Sequence, residues 1–311
     1  MKRIGLVLAA IIVICSSALA VPLATAARSV IPKEAQQIIC VDYRTLKASP
    51  TALALKERVL PPNMKSFEEA LRGLGLDPDK DVETLAFASF RPPGGGLQMI
   101  GIAQGQFAKQ QILKRFKTRK VRPTKYRSSF LYPVSGGTQM AFLDDFTLLF
   151  GDNAAIRSAL DARDGEAESL TSNSQMSNLI SDADNGPVWS VLDAAGTQNM
   201  MKSALGDAAQ LADYEMVKKR LLGSRYAMDF SSGVKFDLDV VTSDSMTASA
   251  LSSLVKAGMM YRKMTSSGTE KVALESMSVD SESDRLRVHF STDDKKFQSL
   301  MNSDLFAAVS R

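Results

Sequence analysis

Residues 37–42 read QIICVD and residues 187–193 read PVWSVLD. Each is a short apolar run that closes on an aspartate and passes directly into a helical pattern. The same succession of elements comes after both runs, which makes the chain one unit used twice. From the first run the order is strand, helices, two strands, helix, further strands and helix. Its first six elements follow the split β-α-β-β-α-β order.

The two copies agree in detail toward their ends. FGDNAAIRSAL (150–160) resembles FSTDDKKFQSL (290–300) once a single one-residue gap is allowed, and NSQMSNLI (173–180) resembles NSDLFAAV (302–309). DADNGP (182–187) is a turn-rich hinge between them. The expected fold class is therefore α+β, duplicated. Each copy is a β-α-β-β-α-β(-β)-α module, with antiparallel-rich sheets covered by helices on one face. The expected domains are a signal peptide over 1–26, a first repeat over 27–183 and a second over 184–311.

Within the first unit an extended lead containing Pro32 precedes the opening strand. Pro50 breaks or restarts the helical region after that strand. Ser66 and Glu69 form a capping box for the next helix, and RPPGGG (91–96) turns a hairpin between two strands. YRSSFLYP (126–133) reads as one strand. In the second unit a helical region covers 198–222, Ser232-Gly233 tips a hairpin, and ALESMSVD (273–280) reads as a strand.

The 311 residues are 45% hydrophobic and 23% charged, ordinary values for a globular protein. The N-terminus is different. Lys2 and Arg3 precede an apolar run from Ile4 to Cys15, and small residues occur next at Ala18-Leu19-Ala20 and Ala24-Thr25-Ala26. That is the pattern of a secretory signal peptide, with cleavage expected after Ala26 because Pro22 sits close behind the earlier site. An uncleaved N-terminal anchor is the rival reading. Export to the periplasm or the exterior is expected in either case. Loss of Lys2 and Arg3 would lower the formal charge from +4 to +2. Cys40 would then be the sole cysteine, which excludes an internal disulfide.

The most distinctive surface signal is AKQQILKRFKTRKVRPTKYR (108–127). It carries Lys109, Lys114, Arg115, Lys117, Arg119, Lys120, Arg122, Lys125 and Arg127 with no acidic residue between them. Such a stretch can be a solvated helix face and loop, or an anion-binding patch whose field attracts phosphates or acidic polymers. The matching helix and loop of the second unit, TASALSSLVKAGMMYRKM and SSGTEK, are far less basic. The architecture therefore tolerates this position without the charge, which turns attention to anion binding. Nucleic acid is a poor partner, since Phe116, Tyr126 and Phe130 form no stacking platform. Anionic envelope lipid or glycan, or another envelope protein, fits better.

Other constellations are weaker. Met200, Met201, Met259, Met260 and Met264 could line a pocket for an apolar ligand, but methionine more often fills core. Asp77, Asp79, Asp81 and Glu83 superficially suggest a calcium loop, yet Val82 and Ala88 stand where that loop needs glycine and glutamate. Asp42 and Asp193 read as helix caps. His289 is the single histidine, excluding multi-histidine metal sites; it alternates with Arg285 and Arg287 on an outward row. Ser253 and Lys256 match S-x-x-K without its companion motifs, and no phosphate-binding or dinucleotide fingerprint occurs. No catalytic residue, metal or cofactor is expected.

IPKEAQQIICVDYRTLKASPTALALKERVLP, GLDPDKDVETLAFASF and ADYEMVKKRLLGSRYAMDF together resemble a family of uncharacterised secreted bacterial proteins of the cell envelope. The resemblance implies export and an envelope setting, and it carries no activity. The expected function is non-enzymatic binding of an anionic partner through the basic face. A carrier of an apolar ligand or lipid is the alternative, and a hydrolase with an unrecognised site a further one.

Overall fold

The computed structural model describes residues 23–59, 62–183, 186–205, 212–266 and 268–302. The leader residues 1–22, hinge residues 184–185 and the last helical echo over 303–309 lie outside the described residues.

The first half runs α1 (Thr25–Val30), β1 (Ala35–Asp42), α2 (Tyr43–Leu46), α3 (Pro50–Val59), α4 (Pro62–Gly73), α5 (Pro78–Asp81), β2 (Val82–Phe90), β3 (Gln98–Gly105) and α6 (Lys109–Thr118). It continues with β4 (Thr124–Tyr126), β5 (Ser129–Ser135), β6 (Thr138–Phe142), β7 (Thr147–Gly151), α7 (Asn153–Arg163) and α8 (Ser174–Ala183). The second half comprises β8 (Val188–Asp193), α9 (Ala194–Leu205), α10 (Ala212–Lys218), β9 (Leu221–Asp229), β10 (Val234–Thr242), α11 (Ser245–Thr265), α12 (Gly268–Glu275), β11 (Met277–Glu282), β12 (Arg285–Thr292) and α13 (Asp294–Met301).

Among the described residues twelve strands join one sheet in the order β11-β12-β10-β9-β8-β1-β2-β3-β7-β6-β5-β4, and every pairing is antiparallel. The duplication is written into that order. Outward from the centre the first copy places β1-β2-β3-β7-β6 and the second β8-β9-β10-β12-β11. The two opening strands pair with each other, Cys40 opposite Trp189 and Ile38 opposite Val191. The sheets expected of two modules are thus one continuous sheet. Only the first copy extends further, by the β4–β5 hairpin.

One side of the sheet is covered along its length. Leu71 of α4, Leu74 in the turn after it and Ile112 and Phe116 of α6 pack on Ala103, Met140, Leu148 and Phe150. In the second half, α9, α10 and α11 pack on Val240, Val279, Leu286 and Val288. Ala52 of α3, Ala273 of α12 and Phe297 and Met301 of α13 close over Val234 and Phe290. On the opposite side α1, α7 and α8 add a second layer over the first copy and the central strands, burying Ile38, Cys40, Ile100, Ile102, Leu149, Trp189 and Val191. That layer goes beyond the single covered face expected.

The difference between the copies has a one-residue cause. Phe150 and Phe290 are equivalent and face the same side. The cap of α7, Asp152, comes two residues after Phe150, whereas the cap of α13, Asp293, comes three after Phe290. Side chains alternate with period two along a strand, so one extra residue sends the helix off the other side. Among the described residues, no helix takes the place of α7 over β10, β12 and β11, and α8 covers part of β9.

Several local expectations change. The lead before β1 contains a helix, α1, with Ala27 and Val30 buried. Pro62 opens α4 four residues before Ser66, which therefore lies inside the helix and not at its cap. α10 ends at Lys218, so Leu222 belongs to a strand. ALESMSVD divides into the end of α12 and β11. Asp42 and Asp193 do cap, accepting from the backbone N–H of Thr45 at 3.0 Å and of Gly196 at 2.7 Å.

Candidate functional site

The basic stretch occupies α6, the turn after it and the β4–β5 hairpin, which has no counterpart in the second copy. α6 buries Ile112 and Phe116, and the Phe116 ring stacks on Tyr132 of β5 at 4.8 Å between centroids. The cations are thereby turned outward. The helix stops in a Schellman arrangement, with Val121 N–H donating to Phe116 O and Lys120 N–H to Lys117 O. Lys120 holds the left-handed position of that motif at φ 55°, where glycine is usual. YRSSFLYP is not one strand: the chain turns at Arg127, also left-handed at φ 51°.

The nine predicted cations divide into three groups. Lys109 pairs with Asp145 at 2.9 Å, and Arg127 pairs with Asp161 and Glu166. Arg119 donates to Gly73 O at 2.7 Å, and the Arg115 guanidinium lies across Gly75, so both fasten α6 to the turn after α4. Lys114, Lys117, Lys120, Arg122 and Lys125 are exposed and, among the described residues, have no acidic partner. Phe130, half-exposed, stands directly opposite Lys125 in the hairpin. A ligand would therefore meet a five-cation cluster with an aromatic edge.

His289 lies on the bare side of the second copy. Ser278 of β11 and Asp237 of β10 are its direct cross-strand neighbours, and His289 Nδ1 is 2.7 Å from Asp237 Oδ1. A hollow of about 260 Å³ there is lined by these three with Asp239, Asp280, Glu282, Arg287 and Val288. The row resembles a serine–histidine–aspartate relay in outline, but the chemistry is missing. Among the described residues Ser278 makes no hydrogen bond to the imidazole. The backbone N–H groups of β10 and β12 are engaged in sheet pairing and those that the edge strand β11 leaves unpaired point outward in the plane of the sheet, so none converges as an oxyanion hole. Four carboxylates around it oppose a developing negative charge.

Met201 is buried in the α9–α11 core with Met200 and Met259 against it, while Met260 and Met264 are exposed on α11. The acidic loop serves the fold: Asp77 caps α5, and Asp79 binds Arg72 and Tyr43. Among the described residues no group of three or more His, Cys, Asp or Glu side chains is disposed to hold a metal, and no helix is long and apolar enough to cross a membrane.

A buried polar cluster was not visible in sequence. Tyr43 Oη donates to Asp79 Oδ1 at 2.6 Å and receives from Lys56 Nζ at 2.7 Å, and Lys56 also pairs with Glu68 at 2.8 Å. Burial, then the Asp79 contact, pushes the Tyr43 phenol up to about 12. Burial works against the Lys56 charge, yet the bonds to Glu68 and Tyr43 hold its titration above the usual lysine value. The Tyr43 bond, with Arg72 behind it, keeps the Asp79 carboxyl below the usual range. A phenol driven upward is no nucleophile; the cluster ties α2, α3, α4 and α5 together.

These features define a duplicated α+β protein on one antiparallel sheet, with a basic cluster, unpaired among the described residues, on α6, the turn after it and the hairpin that only the first copy has. Solved structures share the fold. Crystal form III of TP0453 aligns with a TM-score of 0.52 at 11% identity, over 88% of this chain and 96% of that one. Crystal form I of TP0453 gives 0.50 at 10% identity over 88% and 95%. Likeness at such identity concerns the fold alone. No protein-family model and no curated protein sequence matches the chain.

Proposed function

We propose that this is an exported, non-enzymatic binding protein that docks an anionic partner on the α6–β4 face, in the periplasm or outside the cell. The observation that carries the reading is the clustering of Lys114, Lys117, Lys120, Arg122 and Lys125 without acidic partners among the described residues. Like charges held together repel, and Lys120 adds the cost of a left-handed backbone, about 1–2 kcal/mol for a residue with a Cβ. Strain and repulsion kept at one surface, on a helix whose counterpart in the duplicate is far less basic and on a hairpin the duplicate lacks, favour a use outside the fold. The basic tip at Lys2 and Arg3 and the apolar run from Ile4 to Cys15 support export.

The test replaces these five residues by glutamine. Each cation near an anionic surface contributes about 1 kcal/mol at physiological salt, so the set is worth about 5 kcal/mol, or more than a thousandfold in affinity. Wild-type protein should be retained on immobilised heparin and on anionic vesicles in a salt-dependent way; the five-glutamine variant should flow through. Equal retention of both proteins would refute the proposal.

A further inference from the structure

α11 spans 21 residues and contains no aspartate or glutamate. Ala248, Leu251 and Leu254 bury one side of it. The outward side carries Met246, Ala250, Ser253, Ala257, Met260 and Met264, all exposed. Their spacing alternates four and three residues, which keeps them within about 40° of one line for about 27 Å. No charge falls on that line. Met246 is 78% exposed, Met260 66% and Met264 85%, and Tyr261 beside them 69%. Lys256 and Lys263 flank the line on one edge. A helix apolar on both sides belongs in a core or against another apolar phase.

We infer that α11 lies in the headgroup region of an anionic lipid bilayer, its methionine line directed into the acyl boundary and Lys256 and Lys263 reaching to phosphate. The inference deepens the proposed function and rests on it for the partner's negative charge. The topology supports it, because α6 and α11 hold equivalent places in the two copies and pack on the same side of the sheet. A surface approaching that side meets the five cations on one copy and the apolar line on the other. A second copy of the chain fits less well. An antiparallel pairing centred between Ser253 and Ala257 would set the two Lys256 side chains against each other, with no acid on the helix and only the exposed Asp280 of β11, 4.0 Å from each among the described residues, to relieve them.

The experiment uses the full chain as exported and vesicles of phosphatidylcholine with a quarter phosphatidylglycerol. Trp189 is the only tryptophan and is 1% exposed, so it gives a constant background. The Met264→Trp emission should shift to the blue when vesicles are added, and that of His289→Trp on the bare side should not. Met260→Glu with Met264→Glu should weaken vesicle co-sedimentation about a hundredfold and leave heparin retention unchanged; circular dichroism checks the fold. No blue shift from Met264→Trp, or undiminished sedimentation of the double variant, overturns the inference. Heparin retention without vesicle binding overturns it and leaves the basic-face reading standing. Vesicle binding that needs α11 but ignores the five-glutamine change overturns the basic-face reading instead. A wild-type dimer that the double variant dissolves assigns the line to a second copy and overturns the bilayer.

Discussion

Replacing Lys56 by methionine tests whether the buried polar cluster fastens the helices of the first copy to its opening strand. Lys56 and Glu68 have side chains only 16% and 14% exposed. Removing the ammonium leaves Glu68 with a distant Arg72, 4.0 Å away, as its remaining cation among the described residues. Breaking a fully buried pair costs about 3–5 kcal/mol. Residual exposure and Arg72 bring the expectation down to about 2–3 kcal/mol. With a urea slope near 3 kcal/mol/M, the upper end for small proteins, the midpoint should fall by about 0.7–1 M. Fluorescence of Trp189, at the joint between the copies, reports the transition. Adding Glu68→Leu removes the stranded carboxylate and should recover most of the loss, since apolar replacement of a whole buried pair is often neutral. The pH dependence has a definite sign. Tyr43 and Lys56 both titrate above their ordinary values of 10.0 and 10.5. Their contribution is complete below about pH 10 and is lost as the pH rises toward 12, because the unfolded chain releases protons that the native chain keeps. Lys56→Met should remove the lysine's share of that alkaline slope and leave the tyrosine's, because burial and Asp79 raise the phenol while Lys56 lowers it. A single variant as stable as wild type, or a double variant showing the plain sum of both losses, would refute the reasoning.

Lys120→Gly should raise stability by about 1 kcal/mol by relieving the left-handed backbone, while lowering the salt at which the protein leaves heparin; thermal melts and column elution read the two together. The exported chain should begin at Val21 and not at Ala27, read by N-terminal sequencing. Leu23 is 2% exposed in the core and Ala27 is fully buried, so cutting after Ala26 would discard a core side chain and place a charged terminus inside.

The duplication was legible because it rests on local signals: an apolar run, an aspartate that caps, a helix. The union of two modules in one sheet was not, because the pairing of Cys40 with Trp189 spans the whole first copy. The β4–β5 turn escaped notice since Arg127 takes a left-handed conformation without a glycine to announce it. Nine cations could be read from the chain, but the division into paired and unpaired could not. Asp145, Asp161 and Glu166 reach Lys109 and Arg127 only once β6, β7 and α7 are in place. The methionines of α11 were legible in type and spacing; their exposure was a matter of which side of the helix met the sheet.

The one-residue offset between FGDN and FSTDD was visible in sequence, and its consequence explains the His289 row without catalysis. Ile100 and Ile102 of β3, Ala141 of β6 and Leu149 of β7 face the side that α1, α7 and α8 cover. The corresponding strands β10, β11 and β12 turn Asp237, Asp239, Ser278, Asp280, Arg287 and His289 to that same side, which α13 has vacated. A sheet face packed on helices demands apolar residues, and a face left to water takes charged ones that pair across strands. Ser278, His289 and Asp237 align because adjacent strands align any three residues in register. Ion pairs among Arg225, Asp239, Arg285, Arg287 and Glu282 continue the same pattern over the rest of the surface. The bare side is thus the solvent-adapted counterpart of a core. The surfaces that solvent adaptation does not account for are on the other side: cations gathered without partners on α6 and its hairpin, and methionines held in the open on α11.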